Sequence, residues 1–462
     1  MSDCCEDFTR SQLVRASVAR AGAGLPIVEA GMPIPAGTGL TRRSMLLRSA
    51  GVALAVYGAG RTLTPQAFEA AVAEAAGEKR VLVSIFMDGG ADALSLLAPV
   101  ADARYVALRP TLRMAPGAGP AFDGDPQLQW HPSAQGLKEL WDDAGVGVAV
   151  APAIGYASPN QSHFTSRHFW EVGATDPNAT TGWLGRYLDR VGSLNVPIQG
   201  LSLDGSLSPQ LATSTVAVAA TSNVSDYNLW ARGVWGTEQT RMRSAYGAIG
   251  GAASGDPITA QARQAQANAA QLSTDLAAVG SGAPPAGADY PAANSTFKTR
   301  LQAVARLLGT TSGGNALPVR CVTLNAQGGY DTHSNQATQF SNNLLATAAN
   351  IRAFWRDLVA RGLDDRVVIS VWSEFGRRPA ENGSGTDHGA AGAAFVIGRD
   401  VKQGLIGEFP GLVAGSGLDA AGNLRATADF RGLYCALLEQ WFQTEAQGII
   451  PSAASFTRPT LF

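Results

Sequence analysis

The feature that most constrains this chain is a set of short, unbroken apolar runs, each of strand length. Residues 79–87 (Lys-Arg-Val-Leu-Val-Ser-Ile-Phe-Met), 145–154, 319–324, 366–372 and 393–398 are such runs, with 197–203 a further candidate. A strand wetted on one face alternates apolar and polar side chains, whereas an unbroken run needs cover on both faces. Between the runs lie segments with helical spacing. One is 133–143, with Leu137, Leu140 and Trp141; a longer one is 337–361, with Leu344, Leu345, Ala348, Ile351 and Leu358. Another is 430–442. This alternation predicts an α/β fold, a three-layer sandwich with a mostly parallel central sheet and helices on both faces. Residues 231–309 depart from it. They are rich in Ala, Gln and Gly and read as a helical insertion or cap.

Composition agrees with a large covered sheet. Of 462 residues, 16 % are charged, against about 25 % in an ordinary globular protein. The net charge is −2, with no basic run beyond short Arg pairs, so no nucleic-acid partner is expected. Of the four cysteines, Cys4 and Cys5 precede the segment discussed next. Cys321 lies in a strand run and Cys435 in an apolar helix, so they are either buried thiols or one bridge. No cysteine pair has zinc-ligand spacing.

Thr41-Arg42-Arg43-Ser44-Met45-Leu46-Leu47 resembles a twin-arginine export signal. A moderately apolar stretch follows at 49–60 and a small-residue tract at 70–76 suits peptidase cleavage. The apolar stretch falls short of the roughly 20 residues a bilayer span needs, so no stable membrane span is expected. The same residues also read as an amphipathic N-terminal helix. The export reading divides the chain into a disordered extension at 1–40, a signal at 41–76 and an α/β domain at 79–462. It makes the twin-arginine machinery a partner and places the protein in the periplasm, at the cell wall or in the medium.

The polar clusters follow the strand runs. Asp88 and Asp92 follow the first, Ser162 and His163 the second, Asp331 and His333 a third and Glu374 a fourth; Asp387 and His388 precede a fifth. Ligands bind where strand ends meet in an open α/β sheet. Carboxylates and imidazoles gathered there suit a divalent cation: Zn²⁺, Mn²⁺, Mg²⁺ or Ca²⁺. Any one of the five histidines, His131, His163, His168, His333 and His388, also reads as a structural residue. Ser162 opens a helix, where it serves either as an N-cap or as a nucleophile activated by the unpaired helix N–H groups and a metal, with Ser158 and Thr165 as competitors. Arg377 and Arg378 either clamp an anion or are solvated charges.

The segments 86–94 (Phe-Met-Asp-Gly-Gly-Ala-Asp-Ala-Leu), 330–336 (Tyr-Asp-Thr-His-Ser-Asn-Gln), 373–377 (Ser-Glu-Phe-Gly-Arg) and 381–389 (Glu-Asn-Gly-Ser-Gly-Thr-Asp-His-Gly) resemble the family called domain of unknown function 1501. That family is related to the alkaline phosphatase, sulfatase and phosphoglycerate mutase superfamily, whose enzymes hold two divalent metals between strand-end loops. The resemblance implies an alkaline-phosphatase-like fold. It makes Asp88, Asp92, Asp331, His333, Glu374, Asp387 and His388 candidate metal ligands, and Ser162, His163 and Arg377 candidate catalytic residues. Phe375 follows Glu374 where the superfamily carries a ligating histidine, which counts against a second metal.

The implied activity is hydrolysis of small-molecule phosphate or sulfate esters. The alternative is a non-catalytic exported binding or assembly protein on the same fold. The nucleophile-elbow, phosphate-loop and zinc-helix motifs of other enzyme classes are missing from the sequence.

Overall fold

The computed structural model describes residues 55–57, 80–194, 196–222, 224, 234–312 and 315–462. The segment 1–40 and the arginine pair at 42–43 lie outside the described residues. Along the chain run β1 (Ala55–Tyr57), β2 (Val81–Phe86), α1 (Ala93–Leu96), α2 (Gln135–Asp142), β3 (Gly147–Gly155), α3 (His163–Val172), α4 (Trp183–Val191), β4 (Gly200–Ser202) and β5 (Val218–Ala220). Then come α5 (Gly236–Gly250), α6 (Pro257–Ala277), α7 (Thr296–Gly309), β6 (Cys321–Asn325), α8 (Gln336–Ala360) and β7 (Val367–Trp372). The chain finishes with β8 (Arg377–Glu381), β9 (Thr386–His388), β10 (Gly392–Gly398), β11 (Gly404–Leu405), β12 (Ala428–Asp429) and α9 (Phe430–Ala436). The molecule is an α/β protein with strands at each of the five main apolar runs. No described helix is long and apolar enough to cross a membrane.

Two compact units are distinguished. The first holds Asp176–Ala283 and Gln302–Leu324 with the chain up to Val81. There β4 pairs in parallel with both β5 and β6, and β1 adds to β5 antiparallel. Helices α5 and α6 fall in the stretch read as helical from its composition.

The second unit holds Leu82–Thr175, Pro284–Leu301 and Asn325–Phe462. Its strands lie in the order β2-β7-β10-β3-β11, with β12 also on β3. Every residue of β2, β3, β7 and β10 is buried, which is why none of these runs alternates. Strand β10 runs antiparallel to both β7 and β3, with Phe395 opposite Val371 and Gly392 opposite Ile154. This reversal positions the site: the residues just before β10 emerge at the edge where β7 and β3 end.

Aromatic stacking fixes α3 to that edge. Trp170 of α3 stacks on Trp372 at 5.4 Å and on Phe430 at 4.6 Å, while Phe86 stacks on Trp372 at 4.3 Å. Trp372 also donates through Nε1 to Ser84 Oγ at 3.0 Å. In α8, Leu344, Ala348, Ile351, Trp355 and Leu358 are buried, but Leu345 is 52 % exposed. One residue along a helix is about 100° of rotation, which carries Leu345 off the stripe it was expected to join. Cys321 and Cys435 are buried free thiols, so the bridge reading falls. Burial pushes the Cys435 thiol up to about 11.

A buried ion pair supports the loop after β2. Asp92 caps α1 and takes both terminal nitrogens of Arg109, with Nη2 at 3.0 Å from Oδ1 and Nη1 close to Oδ2. Gln336 and Ser95 complete its partners. Burial alone raises the Asp92 carboxyl, but the Arg109 charge and hydrogen bonds outweigh it and hold the group below its ordinary value. We therefore expect Asp92→Asn to cost about 3–5 kcal/mol in urea unfolding at neutral pH, because it strands a buried guanidinium. Because the folded carboxyl titrates lower, the wild-type advantage is full above about pH 4 and disappears as pH falls through the folded value. A variant as stable as wild type at pH 7 would contradict this account.

Candidate metal centre

The site lies within the second unit. The loop after β2 supplies Gly89 and Gly90, the start of α3 supplies His163, the loop after β6 supplies Asp331 and His333, the end of β7 supplies Glu374, and the β8–β9 hairpin supplies Arg377, Asp387 and His388. In the hairpin Arg377 is paired with His388, so one short ladder brings both to the rim.

Four atoms converge. Asp331 Oδ1 lies 3.5 Å from His163 Nε2, 3.1 Å from His333 Nε2 and 3.4 Å from His388 Nε2. His388 Nε2 is 3.0 Å from His163 Nε2 and 2.9 Å from His333 Nε2. His163, Asp331 and His388 offer ligand atoms mutually within 4.8 Å, and His333 borders that group. A tetrahedral ion with bonds of about 2.0–2.1 Å holds its ligand atoms about 3.4 Å apart, the scale of these separations.

The outer nitrogens of the rings decide what the inner ones can do. His388 Nδ1 lies 2.8 Å from Gln161 O, which can only accept, so this nitrogen carries the proton. His163 Nδ1 lies 2.7 Å from Glu374 Oε1, and His333 Nδ1 3.3 Å from Asp387 Oδ1. With each outer nitrogen donating to an oxygen, each neutral ring presents a bare Nε2 to the centre. Three lone pairs and a carboxylate oxygen then face one another. A proton satisfies one such contact at a time; a divalent cation held by His163, Asp331 and His388 satisfies those three together.

The supports are deeply buried. Glu374 accepts from His163, from the N–H of Gly89 at 3.1 Å and of Gly90 at 3.0 Å, and from Ser373 Oγ at 3.0 Å. Burial raises this carboxyl, and its hydrogen bonds from His163 and the Gly90 N–H more than reverse the effect. Asp331 Oδ1 accepts from Arg377 Nη2 at 2.6 Å, which favours its ionised form. Both glycines adopt left-handed backbone, φ +111° at Gly89 and +71° at Gly90. A Cβ at Gly89 would stand 2.4 Å from the Asp331 nitrogen, and one at Gly90 2.3 Å from the Phe375 ring. The loop can reach Glu374 only without side chains there.

Several expected residues stand elsewhere. Arg377, a candidate anion clamp, is consumed internally: Nη2 reaches Asp331 Oδ1 at 2.6 Å, Gly89 O at 2.5 Å and Tyr330 O at 3.1 Å, Nε reaches Gly90 O, and Nη1 reaches Thr386 O. A guanidinium so filled holds loops together and has no fork left for a substrate. Asp92 faces Arg109 and away from the cluster. Asp88 lies 3.8 Å from Arg167, itself bonded to Glu171. Glu374 and Asp387 stand behind His163 and His333 instead of at the centre. His163, set beside a nucleophile in the sequence reading, is in the cluster. Ser162 holds the N-cap position of α3 without a side-chain capping bond. His131 accepts from Ser133 N as a local cap, and His168 is buried in α3. Gln161, whose main-chain oxygen orients His388, carried no sequence signal, because any residue supplies a carbonyl.

No curated protein matches the chain in sequence. Among solved structures, the lipooligosaccharide phosphoethanolamine transferase A (EptA) of Neisseria meningitidis, an integral membrane protein, aligns with a TM-score of 0.35 at 12 % identity, over 92 % of this chain. The chain spans 65 % of that structure's length. Ps i-CgsB in complex with k-i-k-neocarrahexaose aligns with a TM-score of 0.33 at 8 % identity, over 82 % of this chain and 77 % of the other. Likeness this slight assigns neither fold nor activity. The sequence model of one family does match, over residues 142–444, well beyond half of the chain. The chain belongs to the protein family of unknown function DUF1501.

Proposed function

We propose that this protein is a metal-dependent hydrolase of phosphate or sulfate esters. The observation that carries the reading is the convergence of three bare imidazole nitrogens on one ionised carboxylate oxygen. His163, His388 and Asp331 would hold one divalent ion, with His333 beside them. Glu374, Asp387 and Gln161 O fix the ring tautomers, and Arg377 fixes Asp331. Bound there, such an ion supplies Lewis acidity toward a phosphoryl or sulfuryl oxygen.

The protein's own groups do the rest. Ser162, directly before His163 at the start of α3, offers a hydroxyl adjacent in sequence to the cluster. Its Oγ bonds to phosphorus or sulfur as the ester oxygen leaves with a proton as the alcohol; water then cleaves the seryl ester and returns the proton to Oγ. Arg378, bonded to Ala421 O, lends its charge to the neighbourhood of Asp387 and Asp419 and would draw an anionic substrate in. The twin-arginine motif supports export, which places the activity outside the cytoplasm.

A second reading, a metal-holding protein without turnover, is favoured by Phe375. Its ring lies 4.8 Å from that of His163 and 5.0 Å from that of His388, so an apolar wall stands where a second ion would need ligands.

We expect the purified chain to bind about one Zn²⁺ or Mn²⁺ in calorimetry, as a three-ligand site with an open fourth position implies. His388→Ala should abolish that binding and any turnover of 4-nitrophenyl phosphate, bis(4-nitrophenyl) phosphate or 4-nitrocatechol sulfate. A wild-type chain that takes up no divalent ion sinks both readings; metal uptake without turnover on such a panel favours the second. Glu374→Gln should weaken metal binding by about 10–100-fold, the usual effect of losing a carboxylate behind a ligating histidine. Unchanged affinity with an unchanged circular dichroism spectrum would remove Glu374 from that role.

A further inference from the structure

Beside the histidine cluster the second unit carries a cavity of about 350 Å³. Two of its walls are continuous with the cluster. Ala390 and Ala391 line it and follow His388 by two and three residues; Ala157 and Pro159 line it and precede His163 on the loop that ends β3. The third wall, around Leu424 and Ala426, is tied to the first through Ala391 N to Leu424 O at 3.2 Å. A hydrogen-bonded chain joins cavity and cluster: Asp419 accepts from Asn423, Asn423 Oδ1 accepts from Gln161 Nε2 at 3.0 Å, and Gln161 O accepts from His388 Nδ1.

The carboxylates of this cavity are already engaged, and Arg425 is engaged through Nη1. Asp419 accepts from the N–H groups of Ala421 and Asn423 and from Asn423 Nδ2. Arg425 donates to the carbonyls of Gly415 and Ser416, and Asp429 takes Nε and Nη2 of Arg431. The rest of the lining is alanine, proline, leucine and the Tyr156 ring, whose hydroxyl meets Ser166 Oγ at 3.0 Å, with Ser158 and Thr427 among them. Mostly apolar cavities of roughly 300–1,000 Å³ are the common form of a small-molecule site. Engaging Asp419 or Asp429 with a cationic ligand would break bonds the fold already makes.

We propose that this cavity is the subsite for the alcohol portion of the ester, and that this portion is largely apolar, an aryl or alkyl group. Placing the reacting end at the cluster rests on the hydrolase reading; the chemistry of the cavity does not. Ala426 and Ala157 are exposed lining residues outside the cluster, so enlarging either fills the cavity and leaves the core intact.

Calorimetry with 2-naphthol on the purified chain without added metal tests the inference. Wild type and His388→Ala should bind the probe alike, and Ala426→Trp and Ala157→Trp should each weaken it about tenfold or more, about 1.4 kcal/mol. Zn²⁺ affinity should be the same in both tryptophan variants as in wild type. Failure of wild type to bind 2-naphthol, or equal binding by both tryptophan variants, overturns the proposal. Ester turnover with no effect of either substitution on 2-naphthol binding removes the subsite and leaves the hydrolase standing. Binding of 2-naphthol with the expected losses but no turnover does the reverse.

Discussion

Burying a guanidinium is costly unless every N–H finds an acceptor, and that requirement shapes the rim of this protein. Arg377 meets it with the carbonyls of Gly89, Gly90, Tyr330 and Thr386 and with Asp331. Those acceptors come from three separate loops, so filling the cation also fixes the loops. Glu374 draws on the same turn from the other side, through the N–H groups of Gly89 and Gly90. A peptide segment whose carbonyls face a cation and whose amides face an anion has little room to move. The imidazole cluster is rigid because its foundations are charged, opposite in sign and buried.

The fold was legible in the sequence because its strands are covered on both faces. Unbroken apolar runs announced β2, β3, β7 and β10 to within a residue or two. The polar residues after them marked the rim, and His388 was found there although it precedes its strand. The antiparallel course of β10 explains this, since a strand entered from the rim presents its leading residues at the edge where its neighbours finish.

What the sequence withheld is the division of labour within the rim. Composition marks Asp, Glu and His as ligand material but does not say which carboxylate faces inward. Asp331 does, whereas Glu374 and Asp387 stand one bond behind, and Asp92 has a different cation for a partner. Apart from the Asp92–Arg109 pair, 17 residues apart, those choices are made by contacts 46 to 285 residues apart in the chain, which no local pattern encodes. Arg377 was misplaced for the same reason: its acceptors are mostly main-chain carbonyls, identical in every residue type. The N-terminal export motif lies outside the described residues and stays a reading of the sequence.

The two buried thiols carry a consequence for how the chain matures. Among the described residues Cys321 and Cys435 stay unbridged and buried, so no crosslink between these two thiols has to form. Neither of them calls for an oxidant or a disulfide isomerase as the chain folds. Their burial keeps both sulfurs away from reagents in the surrounding solvent.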